Sequence, residues 1–277
     1  MDFINAIILL SNFVIIPSIT YGSQLALGAI GVTLIYGVLR FANFAYGDLM
    51  AFGTMCVILF TWLFKSWGIS LGILPTALLA LPLGIILTIG VSLFFDRTVF
   101  KYYRNKKSSP VTFIVVSLGI MFVLNAVVRI IIGPNDIVFM DGSRFIISAV
   151  DFKETTGLLE GLTIKSTQVI TLITTSITCF VLFNFLNKTK TGKSMRAYSN
   201  NEDLALLSGI DPNKIILITW IIVSILATIG GTLYGLDKSF KPFTYFNNLL
   251  PIFAATIVGG IGNPLGAFYG GFVIAFS

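Results

Sequence analysis

Two stretches place hydrogen-bonding groups inside otherwise apolar sequence: RFANFAYGDLM at residues 40–50 and VGGIGNPLG at residues 258–266. The first sets Arg40, Asn43, Phe44, Gly47 and Asp48 between apolar runs, where lipid penalises both charge and unpaired backbone. In the second, Gly259, Gly260 and Gly262 loosen a helix, and Asn263 with Pro264 can start another. Such groups suit the passage of a small polar solute, because half-helix ends present amides and carbonyls to opposite charges, and a broken helix must be wrapped by protein or line an aqueous route. They do not suit catalysis. Histidine is absent from the 277 residues, no glycine–lysine phosphate loop occurs, and Cys56 and Cys179 sit inside apolar runs as small hydrophobes without pairing or metal spacing.

The elements that must position these groups are membrane helices. With 56% of residues hydrophobic and 11% charged, the chain lies outside the range of a soluble domain and reads as an all-α polytopic membrane protein, one transmembrane domain over residues 1–277. Asp2 replaces the basic start of a secretory signal, so the first apolar run reads as a span. Nearly uncharged stretches at 3–19, 23–39, 47–64, 71–95, 111–131, 167–187, 213–236 and 249–277 predict about eight spans, the first and second separate. A cytoplasmic N-terminus puts Arg40, the cluster Arg97 to Lys107 and the cluster Lys188 to Lys214 inside, leaving a smaller set from Lys65 to Lys241 outside, as the positive-inside rule prefers. The formal charge of +6 is thus a topology signal, and no nucleic-acid partner is implied. The run KYYRNKK at 101–107 either meets anionic headgroups or solvates an inner loop.

Asp48 is the one acidic residue in an apolar run, and it is expected to cap a helix start near the inner interface. At the other end, residues 249–258 make only ~15 Å of helix, which predicts a break near the membrane midplane. Gly262, Gly266 and Gly270 predict one closely packed face, as do Ala227, Gly231 and Gly235. The inner loop, 187–214, predicts a two-turn helix capped by Asn200 or Asn201, with Glu202 and Asp203 in its first turn and Leu204 and Leu207 on one face. Gly209 ends it, and Asp211 with Pro212 starts the next span. By itself this helix is either a connector lying on headgroups or a lever for a soluble motor subunit, with Arg196 and the acidic turn setting register.

The stretches GAIGVTLIYGVLRFANFAYGDLMAFGT, GLTIKSTQVITLI, GKSMRAYSNNEDLALLSGIDPNKIILITWIIVSILATIGGTLYG and FAATIVGGIGNPLGAFYGG, in that order, resemble permease subunits of branched-chain amino-acid ABC transporters, in particular the shorter of the two permease partners. The resemblance implies an importer in a bacterial inner membrane with a second permease, related or identical, two cytoplasmic ATPases and an extracytoplasmic substrate-binding protein. This chain would bind no cofactor, ATP being used by the ATPases. It also implies that Arg196, Glu202, Asp203, Ala205, Gly209 and Asp211 belong to the ATPase-coupling loop, and that Asn43, Phe44, Gly47, Asp48, Gly259, Gly260, Gly262, Asn263 and Pro264 belong to the translocation path. Tyr46 stands where many relatives carry histidine, which removes proton chemistry from that position. Relatives continue with a further apolar segment, so Ser277 is expected to end a fragment. A permease for amides, urea or sugars, a secondary transporter and a passive channel are the other readings.

Overall fold

The computed structural model describes residues 2–156 and 160–277, and these form an all-α bundle apart from two short strands. Among the described residues six helices are long and apolar enough to cross a membrane, the mark of a multi-pass membrane protein. The chain opens with α1 (Asp2–Leu10), a π-helical turn (Ser11–Ile15) and α2 (Ile16–Leu39), which run on without a loop. The two separate spans expected at 3–19 and 23–39 are therefore one rod, roughly 57 Å long at 1.5 Å per residue. Gly22 and Ser23 carry no charge that would force a loop, and the π turn sits just before Pro17, whose missing N–H disturbs the regular ladder. Asn12 exchanges hydrogen bonds with Gly161 and Thr163, so the first part of this rod lies beside the residues just before the short strand Ile164–Lys165, away from its other end at Arg40.

Next come α3 (Tyr46–Ser66) and α4 (Ala77–Phe95), and α4 continues through a π turn (Asp96–Phe100) into α5 (Lys101–Asn105). α6 (Pro110–Ile132) leads to β1 (Phe145–Ile147), α7 (Ala149–Thr156) and β2 (Ile164–Lys165), with β1 and β2 paired antiparallel. α8 (Ser166–Lys188), the short α9 (Lys190–Asn200) and α10 (Glu202–Leu207), and α11 (Pro212–Lys238) follow. The described chain closes with α12 (Pro242–Gly259) and α13 (Pro264–Phe276).

α2, α3 and α11 form the buried centre, and glycines let their backbones close up. A Cβ on Gly53 would lie 2.6 Å from Thr228 Oγ1, and one on Gly231 2.7 Å from the Met50 carbonyl. The 249–277 region differs from its expectation. α12 begins at Pro242, so it measures about 27 Å and leaves no half-length helix to break at mid-depth. At its end the chain reverses: Gly266 packs against Gly259 and Gly270 against Ala255, backbone to backbone, so α12 and α13 are an antiparallel hairpin. Gly262 belongs to the turn, not to the helical glycine face, because α13 starts at Pro264. Cys56 and Cys179 are buried and free.

Candidate functional site

Both interruptions are present, and both are built by local backbone chemistry. Arg40 closes α2 in the left-handed conformation (φ 60°), its N–H bonded to the Tyr36 carbonyl at 3.0 Å. Asn43 then folds the link back: its buried Oδ1 accepts from the Ala45 N–H at 3.0 Å, the local turn that asparagine favours. The Phe44 N–H donates to Ser117 Oγ at 3.2 Å on α6, and the Phe44 ring lies 5.3 Å from that of Phe253 on α12. Gly47 lets α3 approach α12, since a Cβ there would stand 2.8 Å from the Tyr245 carbonyl.

Asp48 lies deeper than the expected edge position. Ala45, not Asp48, is the cap residue of α3, and the Asp48 carboxylate, 1% exposed, accepts from Asn125 Nδ2 at 2.7 Å while its second oxygen has no partner among the described residues. Asn125 stands fifteen residues into α6, roughly 22 Å from the start of that helix. A carboxylate at such depth is costly unless it serves a function or a partner. Asn125 escaped the sequence reading, although a lone amide in the apolar run 111–131 was a visible signal.

The second interruption is a tight turn. Gly260 (φ 92°) and Gly262 (φ 86°) take the left-handed region, the Gly262 N–H donates to Thr33 Oγ1 at 3.0 Å, and Asn263 Oδ1 caps α13 by accepting from the Gly266 N–H at 3.2 Å. Pro264 occupies the first turn of α13. Gly259 is the last residue of α12 and sits against Gly266.

This turn meets the short helices. Gly262, Asn263 and Pro264 line a cleft of about 190 Å³ with Gly37 of α2 and Arg196 and Ser199 of α9. A Cβ on Gly37 would fall 2.6 Å from Ser199 Oγ, and the Arg40 guanidinium donates to the Ser199 carbonyl at 2.5 Å. Residues expected to do two separate jobs are thus brought together at one end of the bundle, with both interruptions touching α9. Arg196 was expected in the coupling loop, but not a helix around it: α9 is capped by Thr189 Oγ1 accepting from the Gly192 N–H at 3.0 Å.

α10 has the expected caps. Asn201 Oδ1 accepts from the Leu204 N–H at 3.1 Å, Gly209 is left-handed (φ 80°), the Ile210 N–H reaches the Ala205 carbonyl at 3.1 Å, and Asp211 Oδ1 accepts from the Asn213 N–H at 2.9 Å. Ala205 is the residue of α10 turned inward, whereas Leu204, Leu206 and Leu207 are exposed, Leu207 by 85%. Glu202, Asp203 and Arg196 are also exposed. Tyr198 donates to Glu202 Oε1 at 2.7 Å; burial, with Glu202 beside it, pushes the phenol well above its ordinary value, so it stays a donor that ties α9 to α10.

A further cluster pins this end of the bundle. Asp96, in the π turn after α4, accepts from Arg104 through both oxygens at 2.6 and 3.1 Å and from Trp220 Nε1 at 2.8 Å. Phe100 stacks on Trp220 and lies against Phe41, 5.4 Å in each case, which connects α11 to the first interruption.

Comparison with known proteins agrees with this architecture. The family described as branched-chain amino acid transport system / permease component matches residues 14–277. The chain is 25% identical to the high-affinity branched-chain amino acid transport system permease protein LivH of Escherichia coli, covering 94% of this chain and 82% of that one. It is 26% identical to BraD, a permease protein of the same description from Pseudomonas aeruginosa, with the same coverage. It is 30% identical to the probable branched-chain amino acid transport permease protein LivH of Methanocaldococcus jannaschii, over 94% of this chain and 78% of that one. No solved structure matches it. A bundle of membrane helices with two interruptions gathered at one end, matched over residues 14–277, belongs to the family of branched-chain amino acid transport permease components.

Proposed function

We propose that this chain is one half of the path by which branched-chain amino acids cross a bacterial inner membrane, opened alternately to each side by ATP hydrolysis in other subunits. The observation that carries the reading is α10, a fully capped helix of six residues that turns only Ala205 inward and holds Leu204, Leu206 and Leu207 out to solvent. Exposed leucines on a rigid helix suit insertion into an apolar groove of a soluble partner. Two cytoplasmic ATPases supply that groove and use the ATP, with no cofactor held by this chain. A second permease, related or identical, completes the path, and an extracytoplasmic binding protein delivers the solute.

In this reading the ends carrying Arg40, Arg97 to Lys107 and Lys188 to Lys214 face the cytoplasm. The unbroken rod of α1 and α2 then starts outside, in place of a cytoplasmic N-terminus, and it merges two expected spans while the α12–α13 hairpin divides another. ATP-driven closure presses on α10 through Glu202, Asp203 and Arg196, with Gly209 and Asp211 as the stiff hinge to α11. Displacement passes through Tyr198 and Ser199 to Arg40 and to the turn Gly259–Pro264. Asn43, Phe44, Gly47 and Asp48 then part from α6 and α12 to admit solute, Asp48 facing its ammonium and apolar walls taking the branched side chain.

Reconstitution with ATPases and binding protein, followed by labelled leucine uptake, tests this. Uptake should require ATP. Gly209→Val, which forces a β-branched residue to φ 80°, should leave insertion intact and abolish ATP-dependent uptake. Uptake by that variant at the unaltered rate would remove α10 as the lever.

A further inference from the structure

Beside the coupling corner lies a second cleft, of about 330 Å³, which shares Arg40, Tyr198 and Glu202 with that corner and adds Arg104 and Lys107, to which the coupling path gives no role. It opens between the end of α2, the α5–α6 corner and α9, and three cations line it: Arg40, Arg104 and Lys107. Arg104 is already neutralised by Asp96. Arg40 spends one N–H on the Ser199 carbonyl, and Lys107 has no side-chain partner among the described residues. Glu202 is the carboxylate on the rim, held by Tyr198. Charges in the cleft therefore leave one positive charge uncompensated, which matches a singly charged anion.

Two further features narrow the ligand. Among the described residues, three non-glycine positions have left-handed backbone, and two of them are Arg40 (φ 60°) and Lys107 (φ 49°), both on this cleft. Both positions end helices, α2 and α5, where the left-handed conformation is a common stop, so capping backbone fixes the two cations at the mouth of one cavity. The remaining wall is apolar, with Leu39 at the end of one spanning helix and Phe113 in the first turn of another. A free phosphate has no use for that wall. A phospholipid does, because its headgroup phosphate sits where spanning helices end and its glycerol and upper acyl carbons lie alongside them.

We infer that this cleft is a binding site for the phosphodiester headgroup of an anionic phospholipid of the cytoplasmic leaflet, held by Arg40 and Lys107. It rests on the cytoplasmic orientation proposed above but not on α10 acting as a lever. A lipid seated there touches Glu202 and the Arg40–Ser199 bond, so membrane composition would set the stiffness of the corner.

The test uses the full chain, purified without ATPases in mild detergent and titrated with phosphatidylglycerol or phosphatidylcholine, with bound lipid counted by native mass spectrometry. Phosphatidylglycerol should be retained in preference. Each cation removed should weaken it about 5-fold, and Arg40→Gln with Lys107→Gln together roughly 30-fold. Arg40→Lys should retain binding, and Lys107→Gln alone, at an exposed residue, serves if the double variant does not fold. Equal loss in Arg97→Gln with Lys101→Gln, exposed cations outside the cleft, would mean diffuse surface attraction and overturn the site. Displacement by glycerol phosphate at equal concentration would assign the cleft to a free phosphate. Undiminished phosphatidylglycerol in Lys107→Gln would overturn the site. Because no transport is measured, a negative result leaves the transport reading standing.

Discussion

Replacing Asp96 with alanine should destabilise the protein by about 4 kcal/mol, and the figure follows from what the carboxylate holds. Asp96 is 7% exposed and receives three hydrogen bonds, two from Arg104 and one from Trp220. Removing one partner of a buried ion pair costs roughly 3–5 kcal/mol. The Arg104 side chain is 21% exposed and can turn toward water, so the lower end, about 3 kcal/mol, applies. Trp220 adds about 1 kcal/mol because its buried N–H is left without an acceptor. Thermal unfolding followed by tryptophan fluorescence should therefore drop by roughly 10 °C. Asp96→Asn, which keeps an acceptor for Trp220 but loses the charge, should fall about half as far. A double-mutant cycle with Arg104→Met should return a coupling of about 2 kcal/mol, since the two residues share one network. If Asp96→Ala loses no more than Asp203→Ala, an exposed carboxylate worth under about 0.5 kcal/mol, the cluster is not what pins α4 to α11.

Gly270→Val places side-chain carbon against the Ala255 carbonyl and should cost at least about 2 kcal/mol by prising α13 from α12; cysteine cross-linking between these helices should report the separation, and unchanged efficiency would refute the hairpin packing. Asp141 carries an acid dependence. Burial acts to raise its carboxyl, but the Thr76 N–H at 2.9 Å and Lys65 at 3.4 Å win and hold it below the usual range. Its contribution is present above the unfolded-state value near about 4 and disappears as pH falls through the lower folded value. Asp141→Asn should flatten that acid limb of a stability profile and cost under about 1 kcal/mol at neutral pH, because Lys65 is largely exposed; an unaltered acid limb would contradict the assignment. Asp48→Asn keeps an acceptor for Asn125, so stability should fall by less than about 1 kcal/mol, while leucine uptake should fall at least about tenfold if the carboxylate meets the ammonium group. Wild-type uptake by that variant would confine Asp48 to packing.

What the sequence determined by itself was local. A cap at Asn200 or Asn201, the left-handed stop at Gly209, the restart at Asp211 and Pro212, and the positions of both interruptions each depend on groups within about five residues of one another, and one residue type satisfies them at low cost. Membrane insertion was equally legible, because hydrophobicity is additive along the chain. Only the tertiary structure decided where those pieces sit. The single rod of α1 and α2, the reversal of α12 into α13 and the depth of Asp48 depend on packing, since a chain of apolar residues without charged punctuation is compatible with one span or two. The contacts that gather the site join Asp48 to Asn125, Asp96 to Trp220 and Arg40 to Ser199 across 77, 124 and 159 positions. Such pairs leave no periodic trace in a single sequence. They form because lipid offers no hydrogen bonds, so each buried polar group must find its partner wherever the folded bundle has carried one.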